Sequence, residues 1–251
     1  MLLYDMKRAF RLKNMVMSSV CLLMLSIIIR FETIKQVFEA ILEKETLQYG
    51  WTLEFVLDTL GQEKLIFLLP LLSAFPFAAA YEEERRCGLQ KLALSRVEKR
   101  YYLRSKMLTV AISGGAIVVG GAVALFAVAC VMFRRYEAAP CIGEYCKIPE
   151  YGKLLMRYFL FGALWAELGL FFSTLLNQKV MAWLSPFMTY YLLIIGYERY
   201  FSMCHILYPI EWIRGAQGWP TDWSCCLWMG ILLCVVGLNF YTLGTRRLQY
   251  V

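Results

Sequence analysis

The chain specifies an all-α polytopic membrane protein with six transmembrane helices. Three observations carry that expectation. Of its 251 residues, 60% are hydrophobic and 18% charged, with mean hydropathy +0.54; soluble domains run at about 45–50% apolar and about 25% charged. The apolar residues gather into blocks close to the roughly 17–25 residues that a membrane-crossing helix needs. Lysine and arginine are concentrated at the two ends of the chain and in one internal stretch, 78–110.

Taken in order, 1–13 precede the first block. Leu3, Met6 and Phe10 share one helical face, and Lys7, Arg8 and Arg11 lie largely off it. That is the pattern of a helix lying in the membrane interface, with an ordinary cytoplasmic run-in as the alternative. The start "MLLYDMKRAFRLKN" lacks the short apolar core of a cleavable signal peptide. Expected spans lie at 14–31, 64–81, 107–133, 154–176, 180–196 and 225–243 within a single transmembrane domain, 1–251. Pro70, Pro76 and Pro186 should kink their helices, because proline lacks the N–H that closes a helical turn.

Between the first two spans, 32–63 is acidic and reads as external. Ile34, Val37, Phe38, Ile41 and Leu42 recur at helical spacing, predicting a short amphipathic helix. In the third span, Ala116, Gly120 and Ala124 repeat every fourth residue, a small-residue stripe that lets helix backbones approach. Cys141 and Cys146 lie in an external loop, and either form a disulfide or stay reduced. The aromatic segment 197–224 is too broken to span; it reads as an interfacial or re-entrant hairpin with Trp212, Trp219 and Trp223 at headgroup depth, or as a plain loop.

Charge sets the orientation. With both termini cytoplasmic, fifteen of the 26 lysines and arginines fall on the inner side against five acidic residues. The positive-inside rule is then obeyed. This excess suits anionic lipid headgroups and a protein partner, not nucleic acid.

Several chemistries lack their residues. The sequence contains no GxxxxGK[ST], GxSxG, HExxH or GxGxxG run, and its single histidine, His205, falls in an external segment. The nine cysteines form no repeated CxxC pair, so no metal framework is visible. One carboxylate, Glu167, falls well inside a span. An ionisable group there costs about 2.5–3.5 kcal/mol on insertion scales. It either lines a substrate pathway or a helix interface, or is a buried structural group.

The stretch 82–106 is the most informative. Helical period continues from the second span into "EEERRCG": Leu89, Leu92 and Ala93 share a face, while Arg85, Arg86 and Gln90 lie elsewhere. The chain would leave the bilayer, turn near Leu94 and Ser95, and return. Such an ordered, charged excursion is entropically costly unless something binds it. It reads as a docking peg with acidic residues at its tip, or as a solvated positive-inside loop.

Glu84, Gly88, Leu89, Leu92, Ser95, Arg96, Tyr101 and Lys106, coming after a membrane span, resemble the permease subunits of type-2 ABC exporters. The order of elements along the whole chain is similar to that family as well. Leu94 stands where the family often has proline before the Ser-Arg pair. The resemblance implies a bacterial cell-membrane protein in which two permeases, identical or related, enclose a pathway. Each docks a cytoplasmic ABC ATPase that binds ATP and magnesium, so this chain itself is not an enzyme and holds no cofactor. It further implies that Glu82, Glu83, Glu84, Arg85, Arg86, Gly88, Leu89 and Leu92 form the ATPase-coupling segment. The apolar composition suits a hydrophobic or amphipathic cargo, such as a peptide or drug. The competing expectation is an ATPase-independent membrane protein, either a secondary transporter or the anchor of a signalling or assembly complex.

Overall fold

The computed structural model describes residues 2–10, 12–43, 46–138, 148–201, 203–215 and 219–248. Cys141 and Cys146, for which the sequence leaves a disulfide and the reduced state open, lie outside them. Among the described residues the chain is a bundle of α-helices without a named strand. In order these are α1 (Leu2–Ala9), α2 (Leu12–Ile29), α3 (Phe31–Leu42), α4 (Trp51–Leu60), α5 (Glu63–Ala74), α6 (Ala80–Arg86), α7 (Leu89–Leu94), α8 (Lys99–Phe133), α9 (Ile148–Leu176), α10 (Met181–Arg199), α11 (Pro209–Arg214) and α12 (Asp222–Leu248).

Three of the described helices are long and apolar enough to cross a membrane: Lys99–Tyr136, Ile148–Leu176 and Trp223–Leu248. They coincide with the third, fourth and sixth expected spans. A fourth crossing exists if Val16–Ile29 and Phe31–Leu42, which meet at 66°, act as one broken span. The protein is therefore an all-α membrane protein with three to four such helices among the described residues.

The other two expected spans are helical but fall short. The block 64–81 divides into α5, a turn over 75–79, and α6. Pro76 sits in that turn, where its missing N–H does no harm, whereas Pro70 is accommodated inside α5. A 12-residue α5 is only about 18 Å long at 1.5 Å per residue. α10 has 19 residues, but Ser185, Pro186, Thr189 and several tyrosines dilute its apolar character.

α9 is the hub. It packs most extensively on α8, then on α12, α10 and α5. α8 and α9 approach closely at Gly114 and Gly162: a Cβ on Gly162 would come within 2.7 Å of the Gly114 carbonyl oxygen. The expected Ala116–Gly120–Ala124 stripe is only half-buried, and a Cβ on Gly120 would meet nothing nearer than Ser19 Oγ at 3.3 Å. The glycines that matter thus lie on the adjoining face of α8, a distinction that four-residue spacing does not make.

At the end of the bundle near α4 and α11, aromatic rings fill the core. Trp165 packs edge-on against Tyr190 and Phe161, and stacks on Trp212. Trp212 is 3% exposed and donates to the Ile206 carbonyl at 2.8 Å. It is a core residue, not a headgroup anchor, while Trp223 is exposed as expected. Between α10 and α12 lies α11, whose Pro209, Ile210, Trp212 and Ile213 are buried. The amphipathic helix foreseen in 32–63 is α3; α4, which buries Val56 and Leu60, was not anticipated.

The starts of α8 and α10, the C-terminal ends of α9 and α12, and α6 share the opposite, basal end. Lys99 Nζ donates to the Leu248 carbonyl at 2.6 Å. Arg86 reaches the Asn177 carbonyl at 2.9 Å, and Arg247 reaches that of Leu175 at 3.1 Å.

Candidate functional site

The candidate site is built at the basal end from α1, α6, α7 and the first turns of α8. After the Pro76 turn the chain resumes as α6, whose sequence AYEEERR places Glu82 three and four residues before Arg85 and Arg86. Side chains at those spacings are neighbours on a helix. Both arginines accordingly reach Glu82 Oε1, at 2.9 and 3.0 Å.

Gly88, between α6 and α7, has φ +71. This left-handed conformation carries a steric cost for any residue with a Cβ. Space is not the constraint, since a Cβ there would meet nothing within 4 Å. The backbone reversal is what requires glycine, and it sends α7 off in a new direction.

α7 is held by its one buried residue, Gln90, whose Nε2 donates to the Tyr81 hydroxyl at 3.2 Å. Its other face is open: Leu89 is 49% and Leu92 66% exposed. Leu89 and Leu92, expected from the sequence to share a face, are therefore the apolar residues that this element presents.

The acidic residues behave differently from expectation. Glu82 and Glu84 do not project from a tip; they are 0% and 6% exposed. Glu83 alone is partly accessible, and it pairs with Lys179 at 2.5 Å and Arg8 at 3.7 Å. The reason is the position of α6. It lies against the start of α8 and the α9–α10 turn, so two of its three successive carboxylates must face protein.

Glu84 is the centre of a closed network. Lys106 Nζ, 0% exposed, donates to Glu84 Oε1 at 2.6 Å and to Asp5 Oδ1 at 2.7 Å. Arg8 donates to Glu84 Oε1 at 2.7 Å, and the Tyr102 hydroxyl to Glu84 Oε2 at 2.8 Å. Ser105 Oγ donates to Asp5 Oδ2 at 2.8 Å. All four carboxylate oxygens are satisfied, and two cations balance two anions. The Lys106 ammonium also lies 5.6 Å from the Phe77 ring centre and 5.5 Å from that of Tyr102, within cation–π range.

The network fixes α1 by a face that its pattern does not suggest. Asp5 and Ala9, one turn apart, point inward, while Leu3 is 76% exposed. The apolar face expected at the membrane interface is thus partly free at Leu3, and the polar face seals to the protein. Sequence reading also selected Tyr101, which is 53% exposed; the working hydroxyl belongs to its neighbour Tyr102. Asp5 and Ser105 were missed. Their only signal was a lone acid among basic residues near the start of the chain.

Glu167 stands apart from this network. It is 2% exposed, and its Oε2 has no hydrogen-bond partner among the described residues. It lies between α8 and α12, where a Cβ on Gly237 would come within 3.2 Å of that oxygen.

Comparison with family models, curated proteins and solved structures gives no match for this chain.

Proposed function

We propose that the chain is the permease subunit of an ATP-driven exporter of the type-2 ABC kind, acting in the bacterial cell membrane with both termini cytoplasmic. In this reading the basal end faces the cytoplasm, α1 is the interfacial helix, and the six expected spans surround the pathway together with a second identical or related permease. ATP and magnesium are bound by separate ATPase subunits, and lipid covers the rest.

The observation that supports this reading best is the contrast within α6–α7. Exposed Leu89 and Leu92 sit on a short helix whose root is clamped by buried ion pairs. Exposed leucines in a charged, water-facing segment are what a docking surface requires. The clamp supplies the second requirement, a stiff path for force. Displacement of α7 would carry α6 with it, and through Glu84, Lys106 and Asp5 it would carry α8 and α1. Coupling results if two nucleotide states of the ATPase grip α7 with different affinity, since only a differential interaction shifts a conformational equilibrium.

Charge reversal at Glu82 or Glu84 would break the clamp and test folding. The docking surface is tested by Leu89→Asp combined with Leu92→Asp. The chain is coexpressed with a P-loop ATPase from the same genome that lacks membrane helices, and copurification and ATP hydrolysis are measured. Burying a leucine contributes about 1.5–3 kcal/mol, so retention of the ATPase should fall about tenfold or more. Unchanged assembly and unchanged ATPase activity would reject the docking role.

A further inference from the structure

The groove beside Glu167 has the features of a small-molecule site. It lies between α8, α9 and α12 and has a volume of 340 Å³. That is at the lower end of the roughly 300–1,000 Å³ typical of ligand pockets. It is too small for another helix, which is about 10–12 Å across with its side chains.

Its chemistry is uneven. Leu233, Cys234 and Leu238 of α12 and Met107 of α8 make an apolar wall. The polar group set against this wall is the Glu167 carboxylate, nearly fully buried and unpartnered at Oε2. Gly237 lets it lie there, because a Cβ would meet Met107 Sδ at 2.9 Å and Glu167 Oε2 at 3.2 Å.

At the basal mouth, Arg104 stands 6.0 Å over the Tyr241 ring. Its positive charge disfavours a cation entering from that end. α12 is mostly unburied along its apolar stretch, and Leu227, Ile231, Val235 and Leu238 are exposed on it. Access is therefore sideways, from the acyl-chain region.

We infer that this groove binds a single-chain amphipathic amine, with its ammonium on Glu167 and its alkyl chain along Leu233 and Cys234. The complement is specific in charge and in shape. A buried carboxylate without a partner is costly, and a ligand ammonium supplies both the counter-charge and the N–H donors that the protein withholds. The apolar wall accepts the tail, and the volume limits the ligand to one chain. This names the cargo class for the transport reading above. Binding itself is independent of that reading, and only the transport step after binding rests on it, so the test uses the chain without any ATPase.

The full chain is placed in phosphatidylcholine nanodiscs and photolabelled with dodecylamine bearing a terminal diazirine. Labelled residues are mapped by peptide mass spectrometry. Label is expected on α12 around Leu233, competed by dodecylamine at least tenfold better than by dodecanol. Glu167→Gln should reduce site labelling at least tenfold. Cys234→Trp, which fills the groove and keeps the carboxylate, should do the same, and it decides alone if Glu167→Gln fails to fold. Equal competition by the alcohol overturns the inference, as does undiminished labelling in a folded variant or label confined to other surfaces. None of these outcomes bears on ATPase docking, which the copurification experiment decides separately.

Discussion

Glu84 and Glu167 are both shut away from water, and adjacent residues of α8 lie beside them: Lys106 holds Glu84, while Met107 shares the groove of Glu167. Around Glu84 the protein has brought an ammonium, a guanidinium and a phenol to one carboxylate, through α1, α6 and α8. Around Glu167 it has brought methionine, leucines and a glycine, with Arg104 and Tyr241 at the groove's basal mouth, and has left Oε2 unmet. Burial alone therefore says nothing about role. Glu84, with every oxygen matched, is a strut; Glu82 also leaves Oε2 unmet but holds two arginines on Oε1, whereas Glu167 has an open oxygen and no ion pair among the described residues.

The largest effect expected from this contrast is at Lys106. Lys106→Met strands Asp5 and Glu84 in the interior with only Arg8 to answer them. Removing one partner of a buried ion network typically costs about 3–5 kcal/mol, so the variant should unfold at much lower denaturant concentration or fail to accumulate. Replacing the triad together, as Lys106→Met with Asp5→Asn and Glu84→Gln, removes the stranded charges and should recover much of the loss. Loss of less than about 1 kcal/mol in the single variant would make the network a surface feature in energetic terms.

Tyr102→Phe is milder. It deletes one hydrogen bond to a charged group, a contribution of about 1.5–3 kcal/mol, and leaves Lys106 and Arg8 in place on Glu84 Oε1. Tyr101→Phe, on an exposed side chain, should change stability by no more than about 0.5 kcal/mol. The pair of measurements separates the two adjacent tyrosines, of which Tyr101 belongs to the family-like motif and Tyr102 binds Glu84.

The two tyrosines show what was legible and what was not. Apolar block length marked α8, α9 and α12 because long apolar runs need no tertiary information to be recognised. The break inside 64–81 was signalled by Pro76, but whether proline kinks a helix or ends it depends on packing, and here it ends α5. Leu89 and Leu92 were assigned a common face from period alone, and both are exposed. The orientation of Glu82 and Glu84 was not readable, because three consecutive carboxylates occupy three directions around a helix, about 100° apart. Which of them turns inward is set by α8 and by the α9–α10 turn, distant in sequence. Lys106 was visible as a residue of the motif. Its partner Asp5 is 101 positions away, and no local pattern connects them.

The finest test applies one substitution to both carboxylates. Glu84→Gln removes a negative charge that Lys106, Arg8 and Tyr102 all address. Lys106 keeps Asp5 but loses half of its counter-charge, and a net positive charge remains in a buried place. Stability should fall by about 1–3 kcal/mol, the usual range for a buried group left poorly satisfied. Glu167→Gln makes the same chemical change where no protein cation answers the carboxylate at Oε2. The amide is uncharged and nearly the same size, so the desolvation cost of an ionised group disappears. The unfolding midpoint in detergent should therefore stay within about 0.5 kcal/mol of the parent or rise. A matched loss in the two variants would mean that Glu167 is held by the protein as firmly as Glu84 is. The groove beside it would then be a packing defect, because a carboxylate already stabilised by its own fold has no need of a ligand's ammonium.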